Sequence, residues 1–222
     1  MKTQVKTKSQ NEAQMKAQTT LQTKSPDHYY TEDPGSKIVE KQFDSFIPNA
    51  NLSFVSVSGV FGFSSAIDKA SALLITNFTP TGSEILDVGC GFGAIGLSLK
   101  KLFPTEHITM SDVNRRALDY TKKNAASNNL SVNTIHSNLY EGFAKNTFDD
   151  IVSNPPIAAG KEITFALIEQ SINHLNDGGC LWIVAFHNKG GATLKKKMLS
   201  VFGNVIDVVK SGGIRVYKSI KI

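Results

Sequence analysis

The sequence has little of the chemistry that stabilises small secreted domains or that crosses membranes. Its 222 residues include two cysteines, Cys90 and Cys180, which are too few for a disulfide framework and lack the spacing of a metal site. No apolar run is long enough to span a bilayer, and no apolar signal segment follows the first lysines. We therefore expect a cytoplasmic protein with two reduced, buried thiols and no bound metal.

The net positive charge of the predicted folded part of the chain is also small. The net charge is +5, but residues 1–27 contribute +3 of it, through five lysines against Glu12 and Asp27. The remainder carries only +2, so basicity alone is a poor indication that the folded part binds nucleic acid. Residues 1–28 nearly lack large apolar side chains, which predicts a disordered basic tail. Such a tail is either a dispensable extension or an arm that captures RNA.

Residues 29–80 have the pattern of a small mixed extension that packs on the core. Apolar side chains at helical spacing before Pro48 predict one helix, and a Ser58-Gly59 turn between alternating runs predicts a hairpin. The predicted elements are a helix over residues 36–47, strands over 52–57 and 60–63, and a helix over 68–78.

In residues 81–222, strand-like and helix-like segments alternate. Such alternation favours a parallel sheet with right-handed crossovers. The end of the chain differs, because two strand-like runs flank a Gly212-Gly213 turn and predict an antiparallel hairpin. The predicted strands are 84–88, 107–111, 132–136, 148–153, 180–186, 205–209 and 214–220, and the predicted helices are 94–103, 114–127 and 161–175.

A glycine-rich run, Asp87-Val88-Gly89-Cys90-Gly91-Phe92-Gly93, follows the first of these strands and opens a helix. Gly89, Gly91 and Gly93 permit a tight turn and let a ligand approach the backbone, and the helix start can meet an anionic group. Asp112 ends the next strand, where its carboxylate can accept both hydroxyls of a ribose. The same pattern fits a dinucleotide fingerprint, so the loop alone leaves NAD open as the ligand.

A second motif, Asn154-Pro155-Pro156-Ile157, follows a later strand. Proline restricts the residue before it to extended backbone, so this run holds the Asn154 side-chain oxygen and the Pro155 carbonyl in place. Two such acceptors can hold the hydrogens of an exocyclic amine, whose delocalised lone pair makes it a poor nucleophile, and aim it at an electrophile. In isolation the motif is better interpreted as a rigid turn that ends a strand, but it stands behind a glycine loop and an acidic second strand, and no dinucleotide chemistry requires it.

Together, these motifs make the chain resemble the class I S-adenosylmethionine-dependent methyltransferases of the small-domain type, including archaeal relatives of the small-subunit rRNA guanine-N2 methyltransferases. The resemblance covers roughly Tyr29 to the carboxyl terminus and is strongest in residues 85–96 and 153–161. It implies an α/β, Rossmann-like seven-stranded sheet, parallel except for the carboxyl-terminal hairpin, with S-adenosylmethionine as cofactor. It also implies that Asp87 meets the cofactor's ammonium group and that Asp112 binds its ribose.

Three positions refine or depart from the family pattern. Asn138 stands where the family usually has an acidic residue that accepts from the adenine amino group, and its amide oxygen can still accept. Ile157 offers no aromatic face, unlike relatives that methylate adenine N6 or protein glutamine, so the resemblance favours guanine. Ala158 stands where a basic residue is common, which weakens the inference of an RNA substrate.

The resemblance therefore predicts methyl transfer to an exocyclic amino group of an RNA base, first of all guanine N2 in small-subunit rRNA. Asn154 and Pro155 are the expected catalytic residues. Phe61 could stack on a flipped base or be an ordinary core aromatic. The expected substrate contacts are Phe61, Pro156, Ile157 and Lys161.

Several other functions stay open on the sequence alone. The nearest alternatives are tRNA guanine-N2, adenine-N6 and protein glutamine methyltransferases. More distant ones are an NAD-dependent oxidoreductase and a non-catalytic RNA-binding protein. The expected partner is RNA, either rRNA or the small ribosomal subunit, with no membrane, and the protein is expected to be a monomer or homodimer.

Overall fold

The computed structural model describes residues 31–222, so the predicted tail over residues 1–28 lies outside the described residues. In this part of the chain no helix is long and apolar enough to cross a membrane. The strands are β1 (Glu40–Ser45), β2 (Leu52–Val57), β3 (Glu84–Val88), β4 (His107–Asp112), β5 (Asn133–His136), β6 (Phe148–Ser153), β7 (Leu175–Phe186), β8 (Ile206–Ser211) and β9 (Ile214–Ile220), and the helices are α1 (Lys69–Asn77), α2 (Ala94–Leu102), α3 (Arg115–Ser127), α4 (Lys161–Ser171) and α5 (Gly191–Phe202).

Seven of the strands form one sheet in the order β5-β4-β3-β6-β7-β9-β8. The first five pair in parallel, whereas β9 runs antiparallel to both β7 and β8. The predicted Rossmann-like sheet with a carboxyl-terminal antiparallel hairpin is therefore confirmed. Because β3 lies between β4 and β6, the loops that leave these three strands meet at one edge of the sheet, where α/β proteins bind ligands.

Helices cover both faces of the sheet. Buried residues of α1, α2 and α3 pack on one face, and those of α4 and α5 on the other. Helix α2 approaches the sheet closely, since a Cβ on Gly96 would come within 2.6 Å of the Met110 side chain. Cys90 and Cys180 are free and buried, as the sequence predicted.

The amino-terminal extension differs from its prediction, because the helix predicted over residues 36–47 is wrong. Part of this segment forms β1, which pairs antiparallel with β2 and places Phe43 opposite Phe54. The two rings stack with centroids 5.7 Å apart, while Phe46 is 87% exposed. Helical spacing of apolar side chains was misleading here, because the strand β2 offers backbone partners that a local pattern does not reveal.

The strand predicted over residues 60–63 is also wrong, because β1 takes the place beside β2. The chain turns instead at Gly59 and Gly62, whose φ angles of +77° and +79° lie in the left-handed region that favours glycine. The Asn114 side chain donates to the Gly59 carbonyl at 2.8 Å and ties this turn to the start of α3. The bend brings Phe61 to the ligand edge of the sheet.

The extension and the sheet share one apolar cluster. The Phe54 and Phe92 rings meet edge to face, with centroids 5.7 Å apart. The buried Asn124 side chain accepts from the Val55 amide at 2.8 Å and donates to the Val55 carbonyl at 3.1 Å. The extension is thus fastened to the core, and the boundary that we drew at residue 80 stays a prediction.

Candidate functional site

Two adjoining clefts open at the carboxyl edge of the sheet. The donor cleft, as we call the first, is lined by Gly89, Asp112 and Asn138 and contains about 740 Å³ of empty space, including space open to solvent. The second, the acceptor cleft, is lined by residues that include Pro155, Ile157, Phe186 and Lys189. The side chains of Phe61, Asn154 and Pro156 line both clefts.

Of the three glycines of the loop, only Gly89 lines the donor cleft. Gly91 and Gly93 shape the backbone around it. A Cβ on Gly89 would meet no atom within 4 Å, so this position faces open space. The Gly91 amide donates to Asp112 Oδ2 at 2.9 Å. Gly93 has a left-handed φ of +99°, precedes α2 and would clash with Leu97 if it carried a Cβ. Gly91 and Gly93 therefore act through backbone geometry.

The Asp112 carboxylate is held rigidly at the wall of the donor cleft. Its Oδ1 accepts from the Asn114 amide at 2.8 Å and its Oδ2 from the Gly91 amide at 2.9 Å. Burial raises the pKa of this carboxyl, while the backbone hydrogen bonds oppose the rise. A carboxylate has about four lone-pair sites, so further hydroxyl groups can still donate to it.

Asp87 lies beneath the glycine loop and not on the cleft surface. It is 1% exposed, and its Oδ2 accepts from the Gly96 amide at 2.8 Å. Its Oδ1 is buried with no hydrogen-bond partner among residues 31–222. Burial raises the pKa of this carboxyl to about 7, and the nearby Asp112 charge adds to the rise. An unpaired buried acceptor of this kind suits a cationic ligand group.

Asn138 carries its amide at the exposed rim of the donor cleft. Its Nδ2 donates to Glu141 Oε1 at 3.0 Å, so the amide oxygen is left to accept from a ligand. Glu141 was missed at the sequence level. Its position three residues after Asn138, on the same short turn, is the sequence signal that could have identified it.

Asn154 occupies the border between the clefts with its amide group anchored. Its Nδ2 donates to Asp68 Oδ1 at 3.3 Å and to Ser71 Oγ at 3.1 Å. Pro155 is buried, and its carbonyl accepts the Ile157 amide at 2.8 Å. The Asn-Pro-Pro run therefore brings a side-chain acceptor and a backbone acceptor to the same place.

The acceptor cleft is flanked by two aromatic rings, of which sequence reasoning identified only Phe61. Phe61 and Phe186 are each 41% exposed, and Lys189 Nζ lies 5.6 Å from the Phe186 ring centroid. Phe186 ends the apolar run of β7, a position at the ligand edge that could have drawn attention to it. Lys161 begins α4, is exposed and lines neither cleft.

Comparison with known families shows to which family the chain belongs. Residues 51–218 match the model of the methyltransferase small domain. The chain belongs to this methyltransferase family. As a small-domain methyltransferase it is an enzyme that uses S-adenosylmethionine, so the NAD alternative is set aside.

Relatives of this small-domain methyltransferase fall into two groups by length. It is 38% identical to the protein YbxB of Bacillus subtilis, and the match covers 88% of this chain and 99% of YbxB. It is 36% identical to the ribosomal RNA small subunit methyltransferase C of Haemophilus ducreyi, with 77% of this chain and 52% of that protein covered. The chain therefore spans about half the length of that rRNA methyltransferase.

Solved structures, including one with a bound nucleoside, share the fold of the small-domain methyltransferase. The 16S rRNA N2 G1207 methyltransferase (RsmC) of Thermus thermophilus, in complex with AdoMet and guanosine, superposes with a TM-score of 0.72 at 22% sequence identity. The match covers 85% of this chain and 52% of that one.

The donor cleft of this methyltransferase fits the chemistry of its cofactor. S-adenosylmethionine, when bound, supplies an electrophilic methyl group. The cofactor also carries an ammonium group, ribose hydroxyls and an adenine amino group. The fixed Asp112 carboxylate and the Asn138 amide oxygen line the cleft and are acceptors suited to the ribose hydroxyls and the adenine amino group. Asp87, predicted to meet the ammonium group, has an unpaired oxygen but lies beneath the glycine loop. The individual roles of these residues stay predictions.

Proposed function

We propose that the protein methylates an exocyclic amino group of an RNA base, with guanine N2 in small-subunit rRNA as the first choice. The observation that carries this proposal is the position of Asn154, which lines both clefts. On one side of this residue lies the donor cleft, in which Asp112 and Asn138 would hold the cofactor above the buried Asp87. On the other side lies the acceptor cleft, in which the base would lie.

The residues of the Asn-Pro-Pro run act by alignment. An exocyclic amine on a nucleobase is a weak nucleophile because its lone pair is delocalised into the ring. The Asn154 side-chain oxygen and the Pro155 carbonyl accept its two hydrogens and direct the lone pair at the donor cleft. The Pro155 carbonyl already accepts the Ile157 amide, but a carbonyl has a second lone pair for the substrate.

The walls of the acceptor cleft provide the base-binding surface in this proposal. Ile157 has no ring, so Phe61 and Phe186 are the stacking surfaces, and each stacked base gains about 1–3 kcal/mol. Guanine suits the cleft because its edge presents a ring N–H and a carbonyl beside the amino group. Lys189 lies at the same wall and would meet a neighbouring phosphate. Lys161, outside both clefts, would contact RNA only beyond the base pocket.

Relatives support the choice of RNA. The Haemophilus ducreyi relative is a small-subunit rRNA methyltransferase, and the Thermus thermophilus structure contains guanosine. This chain spans only about half of either protein, so their substrates extend to it as a proposal. The proposed partner is rRNA or the small ribosomal subunit, the proposed location is the cytoplasm, and the proposed oligomeric state is a monomer or homodimer.

The test is methylation by the full chain with methyl-labelled S-adenosylmethionine. Purified small ribosomal subunits, their naked rRNA and tRNA serve as separate substrates, and products are identified by nucleoside mass spectrometry. We expect N2-methylguanosine in small-subunit rRNA. N2-methylguanosine in tRNA alone would move the substrate to tRNA. N6-methyladenosine, or a methylated glutamine in a ribosomal protein, would overturn the choice of base.

A matched pair of variants tests the role of Asn154 in this proposal. Asn154→Ala should lower turnover by about 100-fold or more while cofactor affinity stays unchanged, because an alignment contact acts on the transition state. Asn173→Ala, at an exposed asparagine outside both clefts, should behave as wild type. Near-normal turnover in Asn154→Ala would contradict the assignment.

A further inference from the structure

We propose that Asp68 and Ser71 are positioning residues that fix the Asn154 amide group with its oxygen toward the acceptor amine. This inference rests on the proposed function of Asn154 and adds the residues that make it possible. Neither residue lies near the Asn-Pro-Pro run in sequence, since they are 86 and 83 positions away from Asn154.

Hydrogen-bond chemistry allows only one orientation of this amide. An ionised carboxylate accepts hydrogen bonds and cannot donate them. Asp68 Oδ1 lies 3.3 Å from Asn154 Nδ2, so turning the amide over would place oxygen against oxygen with no hydrogen between them. The Ser71 hydroxyl, 3.1 Å from the same nitrogen, could donate or accept. Asp68 therefore decides the orientation, and Ser71 completes it.

The Asp68 carboxylate is itself fixed by the start of α1. It is the N-cap of that helix, and its Oδ1 accepts from the Ala70 and Ser71 amides, each at 3.0 Å. The oxygen that holds Asn154 is thus the oxygen that caps the helix. Ser71 is 3% exposed, and Asp68 is held by two backbone amides. Both side chains are therefore in place before substrate binds.

Fixed orientation has a consequence for the reaction. An unanchored asparagine amide can present either its oxygen or its NH₂ group, and an NH₂ group facing the substrate amine would repel its hydrogens. With the NH₂ group occupied by Asp68 and Ser71, the Asn154 oxygen faces the acceptor before substrate arrives. Such preorganisation affects the chemical step and not cofactor binding.

The first test uses NMR on the cofactor-free full chain. The Asn154 side-chain NH₂ signals are identified by their absence in Asn154→Ala. We expect their exchange with solvent to be slow in wild type and about tenfold or more faster in Asp68→Gly and Ser71→Ala, because hydrogen-bonded protons are protected. Equal exchange rates in all three proteins would overturn the proposal.

The second test separates positioning from helix capping. Gly is an N-cap only slightly weaker than Asp, so Asp68→Gly should lower the melting temperature by no more than a few degrees and should retain the cofactor affinity. It should lower kcat by about 10- to 100-fold, since loss of the carboxylate permits the flipped orientation of Asn154. In an Asn154→Ala background the same change should have no further effect on kcat. A large loss of stability, or equal effects in both backgrounds, would show a purely structural role.

The third test is rescue by a second substitution. Asn154→Asp alone would set two carboxylates against each other and should abolish turnover. Adding Asp68→Gly removes the opposing carboxylate, and the carboxylate at position 154 presents an acceptor oxygen in either orientation, so kcat should rise at least about tenfold above that of Asn154→Asp. Absence of any rescue, combined with an unchanged kcat in Asp68→Gly alone, would overturn the proposal.

These outcomes are distinguishable from failure of the proposed function. If the amide protons are protected as expected but wild type methylates no RNA, the substrate assignment fails and the positioning of Asn154 stands. If wild type methylates RNA and Asp68→Gly matches it in both amide exchange and kcat, the positioning proposal fails and the RNA assignment stands.

Discussion

At the scale of single residues, Asp87 is a buried carboxyl whose pKa is strongly raised. Burial raises its pKa from 3.8 to about 7, above the value of an unfolded aspartate. Its contribution to stability is therefore fully present below pH 3.8 and is lost as the pH rises through about 7. The buried carboxylate is costly at higher pH because its Oδ1 has no partner in the described chain.

The first prediction follows from this residue. If Asp87 meets the cofactor's ammonium group, binding favours the ionised form, so affinity for S-adenosylmethionine should rise with pH up to about 7 and level off above. Calorimetry in buffers of different ionisation enthalpy should detect proton release below that pH. Asp87→Asn should weaken binding and abolish the proton release. An affinity that does not change with pH would contradict the contact.

A second residue-scale prediction concerns Glu141, whose Oε1 accepts a hydrogen bond from Asn138 Nδ2 at 3.0 Å. Glu141→Ala should free this amide to rotate and lower cofactor affinity by about two- to fivefold, the modest effect expected for an exposed hydrogen bond. Turnover at saturating cofactor should not change. Glu162→Ala, at an exposed acidic residue outside the cleft, is the control, and an equal loss of affinity there would contradict the specific role.

At the scale of elements, two asparagines one helical turn apart pair with β2 as a neighbouring strand would. Asn124 bonds both the N–H and the carbonyl of Val55, and Asn128 bonds both groups of Ser53, at 2.9 and 2.7 Å. Asn124 also donates to the Phe92 carbonyl at 2.9 Å. Helix α3 therefore covers the edge of the hairpin and ties it to the glycine loop.

The prediction at this scale is a difference in stability between the two asparagines. Asn124→Leu should lower the free energy of unfolding by about 3 kcal/mol, because it leaves buried backbone groups without partners. Asn128→Ala should cost about 1 kcal/mol, since its partner Ser53 is exposed and can turn to water. Denaturant unfolding of both variants measures this difference. Equal losses would show that the hairpin is not fastened mainly through the buried pair.

At the scale of the whole molecule, the donor cleft joins the loops after β3, β4 and β6, so a ligand that fills it stabilises the entire sheet. S-adenosylmethionine at about 100 times its dissociation constant should add about 2.7 kcal/mol to the free energy of unfolding. For a chain of this size that corresponds to a rise in melting temperature of roughly 5–11 °C. NAD at the same concentration should produce no shift in differential scanning fluorimetry, and a comparable shift with NAD would contradict the cofactor assignment.

The sequence by itself determined the alternation of elements from β3 onward and the loops that carry the chemistry. Those strands and helices are marked by local periodicity and by turn residues such as Gly89 and Pro155, which act within a few positions of themselves. The family resemblance, the parallel sheet and the cofactor all followed from these local signals. The lining of the donor cleft by Gly89 and Asp112 followed from their place at adjacent strand ends.

Only the tertiary structure decided what depends on partners distant in the chain. The segment around Phe43 is a strand because β2 lies beside it, although its spacing alone favours a helix. Phe186 reaches the acceptor cleft because β7 ends at the same edge as β6. The orientation of the Asn154 amide depends on Asp68, 86 residues earlier. Such contacts arise from packing and hydrogen bonding between separate elements, and no local pattern encodes them.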